Sequence, residues 1–190
     1  MTDAATAPAA IARPRQDEYI SYYQKYITLV PDGDLVETLR AQIAETLSLV
    51  RSIPEDRGAH RYAPGKWSIK EVVGHMSDVE RVMTYRALRI ARADTTPLPG
   101  FDENAWVPAG NFGARSLASL AHELEAVRRA TVAFFQTLDA ESAARRGSAN
   151  NAPISARALA YIIAGHERHH VGILRERYLA QAVPGVARPA

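Results

Sequence analysis

Apolar residues recur along this chain at three- and four-residue intervals in four long stretches, the period of an amphipathic α-helix. The first runs from about Asp34 to Ile53, with Leu39, Ile43, Leu47 and Val50 on one face. Asp34 is placed to cap it, with Glu37 at the third position. The second opens on Ser68 and Glu71, a capping-box pair, and carries Val72, Met76, Val79 and Met83 to about Ala93. The third runs from about Ser116 to Leu138 along Leu117, Leu120, Leu124, Val127, Phe134 and Leu138. The fourth follows Pro153, takes Ser155 as its N-cap and reaches about Ala180, burying Leu159, Ile162, Ile163, Ile173 and Leu174. No two-residue alternation strong enough to mark a strand interrupts them.

Breakers separate these stretches: PEDRGAHRYAPGKW, DTTPLPGFDENAWVPAGNFGA and RRGSANNAP. The middle connection, residues 94–115, is long for a compact bundle, and such loops often carry function. Upstream, DEYISYYQKYITLV holds four tyrosines and is expected to pack across the helices as a short helix or an arm. An all-α four-helix bundle with one long crossover between the second and third helices accounts for this pattern. Residues 1–16, rich in Ala and Pro, are expected to form a disordered tail, residues 17–180 a single bundle domain, and residues 181–190 a second tail.

Helical phase then sorts the histidines. At about 100° per residue, with His166 as zero, His170 falls near 40°, Leu159 near 20° and Ile163 near 60°. Both histidines thus lie inside the apolar stripe, whereas His169, near 300°, falls at its edge. On the second helix, taking His75 as zero, Val79 lies near 40° and Val72 near 60°. His75 also faces inward. His122 shares the polar face of the third helix, and His60 lies in a loop. Buried imidazoles must find hydrogen-bond partners or a metal. Two at i,i+4 with a third from a neighbouring helix can make a three-ligand site with an open position.

Composition narrows the chemistry. The 190 residues contain 23 Lys+Arg against 21 Asp+Glu, for a formal net charge of +2. With no basic stripe interleaved with aromatics, nucleic acid is not an expected partner. The chain has no cysteine, which excludes thiolate ligands and cysteine nucleophiles. No apolar run approaches a membrane span and the N-terminus lacks a signal-peptide pattern, so a cytoplasmic protein without a membrane partner is expected.

His166-Glu167-Arg168-His169-His170 also fits H-E-x-x-H, in which a glutamate serves as base between two zinc ligands. The extended protease form requires a Gly and a third His downstream, where this chain has Ile173 and Glu176. The third ligand must therefore come from upstream, and His75 is the inward candidate. Glu167 then becomes a partner for a histidine, a base or a solvated charge.

KWSIKEVVGHMSDVERVMTYRALRIAR, PLPGFDENAWV and ISARALAYIIAGHERHHVGILRERY resemble the DinB-like superfamily of bacterial metal-binding four-helix bundles. The resemblance spans roughly Asp17 to Leu179 and rests on KWS-x-x-E-x-x-x-H with a C-terminal H-x-x-x-H. It implies an up-down-down-up bundle, a divalent metal (zinc or nickel) on His75, His166 and His170, and a homodimer. It also implies a thiol S-transferase using a low-molecular-weight thiol as co-substrate on a small molecule, or a hydrolase with a metal-bound hydroxide. A non-catalytic, metal-stabilised bundle is the third possibility. For thiol transfer, three neutral ligands leave the ion's charge free to stabilise a bound anion. Arg86, in phase with His75, is the candidate for an anionic thiol group; the alternative is an ion pair with Glu167 or Asp78. For hydrolysis, Glu167, Asp102 and Asp78 are the candidate carboxylates. Trp106 is expected to anchor its loop, and Trp67 to staple the start of the second helix.

Overall fold

A computed structural model describes residues 10–180. Its helices are α1 (Gln24–Ile27), α2 (Leu35–Ser52), α3 (Ile69–Ala91), α4 (Glu103–Ala109), α5 (Leu117–Phe135), α6 (Ala140–Ala144) and α7 (Ala156–Ile173), with strands β1 (Arg146–Ala149) and β2 (Ala152–Ser155) before α7. The four long helices begin where their capping residues stand. Asp34 accepts from the amides of Val36 and Glu37, Ser116 from Ser119 and Ser155 from Ala158. Ser68 and Glu71 close a reciprocal capping box. Each cap satisfies amide donors that a helix cannot satisfy internally.

Side-chain pairs fix the direction of each helix. Glu80–Arg128 and Thr84–Thr131 advance together along α3 and α5, which are therefore parallel. Arg40–Gln136 and Arg51–Glu125 advance in opposite senses, so α2 and α5 are antiparallel. His75 near the start of α3 meets His166 near the end of α7, while Arg145, ahead of α7, bonds to the carbonyl of Ala91 at the end of α3. This is the up-down-down-up arrangement. Both α5 and α7 pack against α2 and α3, leaving α2 and α3 at opposite corners. A parallel α3–α5 pair requires a return along the bundle; α3, with 23 residues, is roughly 34 Å long. The long 92–116 connection makes that return and carries α4.

The stripe of α3 is buried, and those of α2 and α7 are buried apart from half-buried Ile43 and Ile173, but that of α5 runs differently. Beyond Leu124 the core positions are Arg128, Thr131, Val132 and Phe135. Val127 and Phe134 are only half-buried, and Leu138 is buried beyond the helix end. Arg128 is 1% exposed. Its guanidinium meets Glu80 at 2.8 Å and Glu167 at 2.6 Å and donates to the Leu39 carbonyl. Gln42 also bonds to Glu167. Each long helix thus contributes one member to a buried polar layer: Gln42, Glu80, Arg128 and Glu167. Burial alone would lower the Arg128 pKa, and the two carboxylates outweigh it.

Two expectations are corrected. RRGSANNAP is not an irregular loop. It contains the β1–β2 hairpin, with Ala149 opposite Ala152. Asn150 and Asn151 both have positive φ, 52° and 60°, as a two-residue type I′ turn demands. Leu98 pairs with the edge of β1, its amide bonding to the Ser148 carbonyl, so the hairpin tethers the long crossover. Residues 10–16 do not form a free tail. Ile11 is buried, and Arg13 bonds to the carbonyls of Ile27 and Val30, where its donors complete the end of α1. The tails expected at residues 1–9 and 181–190 lie outside the described residues.

Candidate metal centre

Two helices bring three imidazoles to one point. The Nε2 atoms of His75 and His170 each lie 3.1 Å from Nε2 of His166, and all three are within 4.8 Å of one another. All three residues are buried. Two nitrogens held tetrahedrally on a zinc-sized ion sit about 3.3 Å apart, close to the spacing here. Burial depresses the His75 pKa to about 4. His166 and His170 are held well below the usual histidine value, first by burial and then by neighbouring histidines and Lys25. All three are therefore neutral at pH 7, the form in which imidazole ligates a metal. The donor set and spacing fit a divalent ion.

Close packing before the first and second of these histidines is set by glycine. A Cβ on Gly165 would lie 2.0 Å from the Tyr26 carbonyl oxygen, and one on Gly74 would lie 2.2 Å from the Phe112 ring. Only a residue without a side chain lets α1 lie on α7 beside His166. Tyr26 meets the His166 ring edge-on at 5.4 Å, and Trp67 lies 4.6 Å from the His75 ring. Trp67, expected only to staple the helix start, thus also walls the site. His169 is half-buried, 5.4 Å from the Tyr26 ring, and stands outside the cluster of three.

A cavity of about 400 Å³ opens onto His75 and His166. Tyr23, Tyr26, Val79, Met83 and Phe101 form much of its wall, with Arg86, Glu103 and Asn150 among its other polar groups. A second pocket of about 260 Å³ reaches His170 beside Trp67, Lys66 and Tyr178.

The carboxylates read from the sequence are elsewhere. Glu167 points into the buried layer, where Arg128 and Gln42 hold one oxygen. The reason is phase, since one step along a helix turns a side chain by about 100° from its neighbour. Asp102 is exposed and spends its carboxylate as the N-cap of α4, bonded to the Asn104 amide at 2.9 Å. Asp78 is half-buried, 3.5 Å from Arg81. None of the three lines the large cavity. Glu103, one residue beyond Asp102, does. The signal for it was Asp102 itself, a preferred capping residue that begins a helix and sends the next side chain elsewhere. Trp106 is 43% exposed and lies against Phe101.

Arg86 is in the cavity wall, 3% exposed. Neither alternative partner reaches it: Glu167 pairs with Arg128 and Asp78 with Arg81. It donates to the Pro99 carbonyl at 2.5 Å and contacts the Met83 sulfur. Burial lowers its pKa, and the Tyr23 hydroxyl beside it opposes that shift.

Similarity to known proteins agrees with this architecture. The DinB superfamily model matches residues 38–174. A protein of Oceanobacillus iheyensis, provisionally named a metal-dependent hydrolase, is 26% identical over 144 residues, 74% of this chain and 79% of its own. The solved structure of YfiT from Bacillus subtilis superposes with a TM-score of 0.65 at 18% identity, covering 90% of this chain and 94% of that one. That protein is described, also provisionally, as a metal-dependent hydrolase with an unusual four-helix bundle topology. At this identity the likeness is one of fold.

Proposed function

The chain belongs to the DinB superfamily, and from that premise we propose that it is a metal-dependent hydrolase of a small organic molecule. The observation that carries this reading is the convergence of three neutral Nε2 atoms, two of whose rings form part of a cavity wall. His75, His166 and His170 would hold a divalent ion. Such an ion supplies a Lewis acid and a means of making water acidic near neutral pH. Glu103 is the carboxylate in the same cavity and would accept a proton on a side-chain oxygen. The tyrosine and Phe101 rings would hold an apolar substrate and exclude bulk water. The provisional names of the relatives support hydrolysis.

Thiol S-transfer is the second reading. What favours it is that Glu167, Asp102 and Asp78 all lie outside the cavity, and a thiol brings its own nucleophile.

Metal analysis of the purified protein is the first test. Wild type should carry stoichiometric metal, and His75→Ala, His166→Ala and His170→Ala should each lose it; full retention in any of them removes that residue from the site. The metal-loaded protein is then assayed on esters, amides and lactones, and separately on thiols with an aryl halide. Under hydrolysis, Glu103→Gln should reduce kcat by about a hundred-fold or more while metal content stays unchanged. Conjugation without any hydrolysis would replace the first reading with the second.

A further inference from the structure

Arg86 is a nearly fully buried cation without a buried anion. Among the described residues no carboxylate pairs with it, although the other core arginine, Arg128, is clamped between two. An isolated charge in a protein interior is costly, and such groups are ordinarily paired. The Pro99 carbonyl accepts from the Arg86 head at 2.5 Å and holds it in place without neutralising it, and Tyr23 shares the same cavity wall. The Phe101 ring lies 5.4 Å from its guanidinium carbon. The fork is thus fixed, and its open side is the cavity that also reaches His75 and His166.

We propose that Arg86 and Tyr23 form a carboxylate-binding subsite, so that the substrate is a small monoanionic acid with an apolar body lying toward the histidines. A guanidinium fork matches a carboxylate with two parallel hydrogen bonds. The single cation and the nearby Glu103 disfavour a dianion such as a phosphate monoester. The space between is walled by Val79, Met83 and Ile162, which accepts a hydrocarbon or aryl body. The proposal rests on the hydrolase reading only in identifying the acid as the substrate; the subsite itself is a binding claim.

Calorimetric binding of 3-phenylpropanoate, its neutral amide and 2-phenylethyl phosphate to the metal-loaded protein tests it. Wild type should prefer the carboxylate over the amide by about ten- to a hundred-fold, the range for a hydrogen-bonded charge. The phosphate should bind more weakly than the carboxylate. Arg86→Met should abolish the preference for acid over amide. Arg86→Lys, which keeps the charge but loses the fork, should retain part of it and serves if the Met variant does not fold. A preference undiminished in both variants would mean that the acid binds elsewhere, on the ion above all, and would overturn the subsite. Tighter binding of the phosphate would overturn the carboxylate assignment. Metal content is read on the same samples. If the protein cannot be loaded with stoichiometric metal, a preference that still depends on Arg86 would retire the hydrolase reading and leave the subsite standing.

Discussion

His166 and Glu167 are consecutive residues on one helix, both buried, and they serve different ends of the molecule. One points to the imidazole cluster and the other to a guanidinium. Glu167→Gln should therefore cost about 1–3 kcal/mol of stability and leave metal content unchanged; loss of metal in that variant would put Glu167 back in the site. Arg128→Met should cost more, about 3–5 kcal/mol, because it leaves Glu80 and Glu167 buried without their cation. Denaturant unfolding measures both. Arg128 was hidden in the sequence by its charge. The phase set by Leu117, Leu120 and Leu124 leads to positions 128, 131 and 135, yet an arginine there reads as surface until its two carboxylates are brought to it.

At the scale of elements, starts were legible because capping is local: a Ser or Asp side chain bonds to amides two or three residues on. The hairpin leaves little trace in the sequence because its strands have no alternating apolar face; only the Asn150-Asn151 pair, tolerant of positive φ, points to it. Glycines in α7 give a paired prediction. Gly165 has the Tyr26 backbone against it, whereas Gly172 has nothing within 4 Å. Gly172→Ala should stabilise the protein by up to about 1 kcal/mol through helix propensity. Gly165→Ala should destabilise it by about 1–3 kcal/mol through overpacking. Thermal unfolding of the two variants decides, and equal shifts would mean that α1 does not lie on α7 as described.

For the whole molecule, the four helices are closed by segments the bundle pattern does not include. Glu18, 1% exposed, joins the chain before α1 to Ser155 and Arg157 at the start of α7. Burial by itself pushes its carboxyl up, but hydrogen bonds from Arg157, Ser155 and the Arg15 amide outweigh this and hold it down to about 2. A carboxyl whose folded pKa is depressed adds stability above its unfolded value and loses it as pH falls through the folded one. Glu18→Gln should thus cost about 2–3 kcal/mol at pH 7. The difference from wild type should shrink below the ordinary value of 4.5 and be gone near pH 2. A pH-independent difference would show that the charge of Glu18 is not what holds this segment. Among the described residues no helix is long and apolar enough to cross a membrane.

Helix period, caps and the inward phase of His75, His166 and His170 could be read from the sequence alone, because each depends on residues within a few turns of one another. The family resemblance reached the same three histidines. Which carboxylates reach the cavity, which arginine has no carboxylate partner among the described residues and what lies over the histidines were decided only when separate helices met. An ion pair such as Arg128–Glu167 or a cavity wall such as Tyr23–Arg86 joins residues far apart in the chain. Neither partner carries a local signal of the other, so these groups acquire their roles from packing.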